Sequence, residues 1–161
     1  MSSTIRKVRD SLAVSAQEYL DARDYKASVR VGWTLIGELR ASRMAPGEMF
    51  VFVTQGPVST ADSGRRSIER SVSAQVTVAA KYEGVGGAVD ALVDQCLLLR
   101  EKLEEAVILG QIAPSDGYSY DEFADAPRSL EPVLEDQFLE SSTIASYFVP
   151  SFLGSSRLSL A

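Results

Sequence analysis

The chain has 161 residues, of which 45% are hydrophobic and 24% charged, and its formal net charge is −6. This length predicts one domain with a buried core, and no apolar run is long enough to span a membrane. The sequence contains no histidine, which excludes imidazole-based catalytic pairs and zinc sites. The acidic balance argues against tight binding of nucleic acid. One cysteine, Cys96, excludes an internal disulfide and fits a reducing compartment, and the N-terminus lacks the apolar core of a signal peptide.

Two segments have the apolar periodicity of amphipathic helices. The first covers residues 4–22, with Ser3 or Thr4 as the expected N-cap. The second runs from Gly87 to Leu109 and is expected to end at Gly110. Each segment carries one apolar stripe, so both are expected to pack on a sheet.

Side chains of the second helix raise two chemical possibilities. Cys96 lies on the apolar stripe, which predicts an inert buried thiol. Asp90 and Asp94 stand one turn apart on the outer face, where a solvated surface is favoured over a metal site because no third ligand is near in sequence. No metal, cofactor or catalytic residue is therefore predicted on this helix.

Strands are predicted where apolar and polar residues alternate or where a short apolar run occurs. The predicted strands are 29–35, 49–53, 67–81 and part of 133–149. Trp33, in the first of them, is expected in the core or at a subunit contact rather than in a ligand site. The strand 67–81 is the longest, and its half from Val72 to Ala80 alternates as a core strand does.

The stretch from Thr54 to Arg66 is rich in Gly, Ser, Thr and Pro. It is interpreted as a long connection that forms an extended β-hairpin with a mobile tip, and the half-strand Ser67–Ser71 is its return arm. Arg65 and Arg66 at the tip are either solvated charges or contacts to an acidic partner. Glu69 and Arg70, just behind the tip, are candidate contact residues as well.

Three glycines between the long strand and the second helix do not match a nucleotide-binding loop. Gly84, Gly86 and Gly87 are followed by Ala88 and Val89 instead of the Lys and Ser or Thr of a Walker loop, and the Rossmann spacing is absent. No nucleotide cofactor is predicted.

The predicted order of elements indicates an α+β fold with an antiparallel or mixed sheet, a long β-hairpin and two amphipathic helices. Residues 1–150 are expected to form one domain. Residues 151–161 are expected to be a Ser-rich tail, whose Phe152 and Leu153 dock on a neighbouring subunit.

This order resembles the tail terminator, or tail completion, proteins of long-tailed bacteriophages, over roughly residues 5–149. The resemblance rests on four stretches. They are the opening helix with strand VRVGW, the strand MFVFV before the polar connection, SIERSVSAQVTVAAKY after it, and AVDALVDQCLLLREKL with the late strand TIASYFV.

The resemblance implies a non-enzymatic virion protein, assembled in the host cytoplasm and located at the head-tail junction. It implies a homohexameric ring that caps the tail tube and then joins the head connector or head-closure protein. DNA would only pass through the lumen, and an acidic lumen would repel it. In this interpretation, residues 54–69 of the hairpin, with Arg65 and Arg66, reach the tube or an adjacent subunit.

Besides a host-encoded binding module unrelated to phages, two other classes of function stay open from the sequence. One is another connector protein, such as a head-closure or adaptor protein, or a tail tube subunit, which would stack into tubes instead of closing one ring. The other is an enzyme that uses acids such as Glu69, Asp121 or Glu122, although no base or nucleophile is visible beside them.

Overall fold

The computed structural model describes residues 3–35, 37–38, 43, 45–64, 66–82, 87–115, 117–122, 133–134 and 143–157. These residues contain two long helices and seven strands of one sheet. The elements in chain order are α1 Thr4–Ala22, β1 Ala27–Val31, β2 Met49–Gly64, β3 Ser67–Lys81, α2 Gly87–Ile108, β4 Ser119–Tyr120, β5 Val133–Leu134, β6 Thr143–Phe148 and β7 Ser151–Arg157.

The sheet is mixed and centres on β3. Its order is β1-β2-β3-β6-β5, with β1 parallel to β2 and the other neighbours antiparallel; β7 pairs with β3 and with β4. The predicted long hairpin is β2 with β3, so the α+β class with a mixed sheet and a long hairpin is confirmed.

Strands β6 and β7 follow one line along the same edge of β3. Val76 pairs with Phe148 and Ser73 pairs with Ser151, so the register does not change between the two strands. Pro150 separates them because proline has no N–H to donate to the ladder. Its carbonyl oxygen still accepts a hydrogen bond from the Ala74 N–H at 3.1 Å. The sheet therefore has three long neighbouring strands, of which the third is interrupted once.

Both helices pack on one face of this sheet. α1 lies against β1 and β2, and α2 lies against β3 and β6. The even-numbered residues of β3 from Val72 to Ala80 point into this layer, as alternation requires. The fully buried side chains Leu12, Leu20, Leu99 and Leu103 fill it from the helices. Each such side chain contributes about 1.5–3 kcal/mol by leaving water.

The helix ends have local causes. The Ser3 hydroxyl accepts from the Arg6 N–H at 3.2 Å, which makes Ser3 the N-cap of α1. Gly110 follows α2 with φ of +76°, a conformation that glycine adopts without strain. Both helix predictions are confirmed within one or two residues. No helix in the described part of the chain is long and apolar enough to cross a membrane.

The opposite face of the sheet carries a smaller apolar cluster. Phe50, Phe52, Ala79 and Ala145 are buried there, and Leu35 packs against them. The rings of Phe50 and Phe52 stack with centroids 6.0 Å apart. Val51 and Val53 are buried on the helix side. The predicted strand 49–53 is therefore covered on both faces, which explains why its apolar residues do not alternate with polar ones.

Three predictions about extended segments are wrong in their bounds. The first strand ends at Val31 and does not include Trp33. Thr54–Gly64 is not an irregular connection but the continuation of β2. Ser151–Arg157 is not a tail that leaves the domain but a strand of its own sheet. The predictions for Arg65 and for residues 158–161 lie outside the described residues.

Candidate functional site

The main candidate surface is the far half of the three long strands, here called the outer arm. It consists of Val58–Gly64 of β2, Ser67–Ser73 of β3 and all of β7. The described side chains from Pro57 to Ala61 are exposed, and those from Ser67 to Ser71 are half-buried. On β3 the buried core begins at Val72. The outer arm therefore extends beyond the layer that the helices cover.

The outer arm meets the domain body at the level of Ser73 of β3, which is here called the bend level. Gly56 and Pro57 of β2 both stand opposite Ser73, which makes a β-bulge. A Cβ added to Gly56 would lie 2.8 Å from the Ser73 carbonyl oxygen, so the close approach of the two backbones requires glycine. Pro150 stands at the same level on the other side of β3. Both neighbours of β3 thus lack a backbone donor at this level.

The base of the outer arm is anchored by aromatic packing. Phe152 is fully buried, pairs across the sheet with Val72 and meets the Tyr120 ring edge to face at 6.4 Å. The Tyr118 ring covers Gly154, where an added Cβ would lie 2.7 Å from ring carbons. A short segment after α2 therefore holds the start of β7 in place.

A buried hydrogen bond adds to this anchor. The hydroxyl groups of Ser73 and Ser151 are 2.6 Å apart and both residues are buried. This satisfies two polar side chains at the bend level, where an unpaired hydroxyl would cost about 1–3 kcal/mol. This hydrogen bond stabilises the start of the outer arm.

The structure places the predicted contact residues of the hairpin as follows. Arg65 lies outside the described residues. Arg66 is exposed at the turn between β2 and β3, with φ of +60°. Glu69 and Arg70 are half-buried neighbours on β3, so their side chains leave opposite faces of the sheet. The three described charges therefore do not form one patch.

The prediction that Phe152 docks on a neighbouring subunit is wrong. Its side chain has no exposed surface, because the start of β7 pairs with β3 and turns Phe152 toward the core. Leu153 is half-buried and pairs with Ser119 of β4. The apolar residues that suggested a docking tail instead attach β7 to its own sheet.

A second candidate surface is an open groove of about 780 Å³ between α1 and the end of β1. Trp33 lines it and is 70% exposed, and Val14 on α1 is 60% exposed. The prediction that Trp33 lies in the core is therefore wrong. The alternative, that Trp33 makes a subunit contact, stays a prediction.

The floor of the groove is organised by a buried arginine. Arg9 is 6% exposed, and its Nη1 donates to the Gly32 carbonyl oxygen at 3.2 Å. Its Nε and Nη2 donate to Asp10 Oδ1 at 3.1 and 2.9 Å. Arg6 also lies 3.7 Å from the Asp10 carboxylate. These bonds hold the backbone at Gly32, directly before Trp33. The groove is therefore lined by charged side chains of both signs and by apolar side chains.

This groove was not predicted. Arg9 and Asp10 lie off the apolar stripe of the first helix, and the bond from Arg9 to Gly32 spans 23 positions in sequence. Gly32 occupies a regular non-apolar position in the alternation over residues 28–35, so the local sequence gives no signal of the groove.

The acids considered for catalysis are not brought together. The Asp121 N–H donates to the Ser151 carbonyl oxygen, whereas Glu69 pairs with Ser155, four residues further along β7. This separation is roughly 13 Å along the strand. Asp90 and Asp94 find no further ligand either, since no group of three or more potential metal ligands occurs among the described residues.

Cys96 is buried on α2, and its Sγ lies 3.9 Å from Met49 Sδ. Burial raises the pKa of this thiol to about 11, because an apolar surrounding disfavours the thiolate. The inert thiol that the sequence predicted is therefore what the structure contains.

Comparison of the chain with protein-family models and with curated protein sequences finds no match. The function is therefore inferred from the outer arm and from the groove beside Trp33.

Proposed function

We propose that this chain is a structural virion protein that forms a ring, caps a phage tail tube and joins the tail to the head connector. The resemblance in element order suggested this role. The observation that carries it is the outer arm, a three-stranded extension of the sheet in which the side chains of β2 from Val58 to Ala61 are exposed and those of β3 from Ser67 to Ser71 are half-buried.

The side chains of the outer arm suit contacts with other proteins. Its exposed part on β2 is Pro57, Val58, Ser59, Thr60 and Ala61, which are small and uncharged. Such side chains contribute little to a core, whereas the backbone groups of a strand bind another strand strongly. An arm whose base is packed against its own domain and whose β2 strand is exposed is a suitable element for assembly.

The charge of the chain is compatible with a DNA path. Each copy carries a formal charge of −6. A ring of such copies would present DNA with a like-charged lumen, and DNA would pass without adhering because adhesion requires clustered Lys and Arg. No catalytic histidine is required for this role, and the sequence has none.

Electron microscopy separates this proposal from its nearest alternatives. We expect single closed rings from the purified protein, and rings at one end of purified tail tubes after mixing. Stacked tubes formed by the protein alone would instead indicate a tube subunit. Rings that bind purified heads or connectors but never tails would indicate a head-closure or adaptor protein.

The hairpin turn provides a mutational test. Replacing both Arg65 and Arg66 with Glu should leave folding intact and reduce attachment of rings to tails at least tenfold, because the turn would lead the contact with the tube. The matched control replaces Lys7 and Lys26, which are exposed on α1 and before β1, with Glu. This control has the same change in charge away from the outer arm. Equal tail joining by the two double variants would contradict the role of the turn.

A further inference from the structure

The outer arm has backbone groups without a strand partner along both of its sides. β1 pairs with β2 only as far as Val53, and β4 pairs with β7 only at Phe152 and Leu153. Among the described residues no other strand pairs with the outer side of β2 from Val58 to Asp62 or with that of β7 beyond Leu153. An exposed strand edge of this kind is a template for pairing with another chain.

The pairing within the outer arm shows which groups point outward. The Ala74 N–H points to Pro150, so the even-numbered residues of β3 direct their backbone groups to β7 and the odd-numbered ones to β2. Thr60 stands opposite Arg70 on β2, and Ser155 stands opposite Glu69 on β7. The N–H and C=O groups of Thr60 and Ser155 therefore point away from β3, on opposite sides of the outer arm.

The two edges are compatible with each other in direction. β2 and β7 are each antiparallel to β3 and are therefore parallel to one another. A rotation about an axis along the strands preserves their direction. The β7 edge of one copy can thus meet the β2 edge of the next copy as a parallel pair, and repetition of this contact closes a ring.

We propose that copies of this chain assemble head to tail through the outer arm. The β2 edge around Thr60 of one copy forms parallel backbone hydrogen bonds with the β7 edge around Ser155 of the next. This inference rests on the proposed ring for its biological meaning. It adds the contact by which the ring closes, and the outer arm then forms a continuous sheet between subunits.

Two proline variants test the proposal. Thr60→Pro and Ser155→Pro each remove one outward N–H and leave the pairing within the outer arm unchanged. Sedimentation velocity should show closed oligomers for the unchanged protein and at least a tenfold loss of oligomer for each variant. Thr60→Ala and Ser155→Ala keep the N–H groups and should assemble normally. Circular dichroism of each variant establishes that it is folded.

A mixing experiment makes the test directional. Thr60→Pro keeps an intact β7 edge and Ser155→Pro keeps an intact β2 edge. An equimolar mixture should therefore form heterodimers and no larger species. If both folded variants still form full rings, the proposal is overturned while the tail-capping role stands. If the unchanged protein forms only dimers or stays monomeric, both the ring contact and the ring itself are overturned.

The ring contact and the tail function fail in different ways. Rings that form from the unchanged protein, disappear with the proline variants and yet never bind tails would support the edge contact. They would contradict the proposed function. Rings that form and bind tails in all variants would support the proposed function and contradict the edge contact.

Discussion

The thiol of Cys96 shows how one buried residue links the core to pH. Its Sγ is enclosed between α2 and β2, and burial raises its pKa from 9.0 to about 11. The protonated thiol is thus favoured in the folded protein, whereas the unfolded chain loses the proton near pH 9. Below pH 9 both states are protonated and the thiol adds no pH dependence.

We predict that the free energy of unfolding falls between about pH 9 and 11 and that Cys96 accounts for about 2–3 kcal/mol of the loss. Denaturant midpoints of the unchanged protein and of Cys96→Ala, measured from about pH 8 to 11, isolate this effect because Tyr and Lys titrate in both. The variant lacks a buried atom and should be less stable at pH 8. Its deficit should shrink as the pH rises. A deficit that does not change with pH would contradict the prediction.

At the scale of elements, the bend level is the feature that divides the sheet. β3 is continuous through it, but its neighbours carry Pro57 and Pro150 there. The backbone N–H and C=O groups of Ala74 both point toward residue 150. The Ala74 carbonyl oxygen therefore lacks the N–H donor that a residue other than proline would supply there. The missing donor lowers the free energy needed to open the outer arm locally.

We predict that Pro150→Ala slows hydrogen exchange in the outer arm about fivefold, because the new N–H can donate to the Ala74 carbonyl oxygen and one backbone hydrogen bond contributes about 1 kcal/mol. The amides of β7 that face β3, such as that of Gly154, report the effect, and amides of α2 are the internal reference. Faster exchange in β7 would show instead that the fixed φ of proline stabilises the start of the strand.

The elements also show what the sequence could predict. Both helices and the core half of β3 were predictable, because burial on one face imposes a periodicity on their side chains. The outer half of β2 was not, since both of its faces are exposed and its composition resembles that of a loop. Its strand structure results from backbone hydrogen bonds to β3, which leave no pattern in the side chains.

The candidate surfaces were predictable only in part, for a related reason. Arg66 at the turn and the half-strand Ser67–Ser71 could be assigned to a hairpin from local composition. The place of β7 depends on its pairing with β3, more than 80 positions away in sequence. Trp33 is exposed because Gly32 is held by Arg9 across 23 positions. Such distant contacts cannot be derived from local patterns.

At the scale of the whole molecule, two electrostatic effects oppose each other in the proposed ring. Every copy carries a formal charge of −6, so neighbouring copies repel. The proposed contact itself consists of uncharged backbone hydrogen bonds, which depend little on the concentration of salt. The net repulsion should therefore dominate the dependence of assembly on salt.

We predict that the assembled fraction at fixed protein concentration rises when sodium chloride is increased from about 0.05 to about 0.5 M. This change shortens the screening length from about 14 to about 4 Å and weakens repulsion between whole copies. It leaves short backbone bonds nearly unaffected. Sedimentation velocity measures the fraction, and Thr60→Pro should remain monomeric at every concentration of salt, which excludes non-specific aggregation. Dissociation of the unchanged protein by salt would show that ion pairs hold the contact and would contradict an interface made by strand edges.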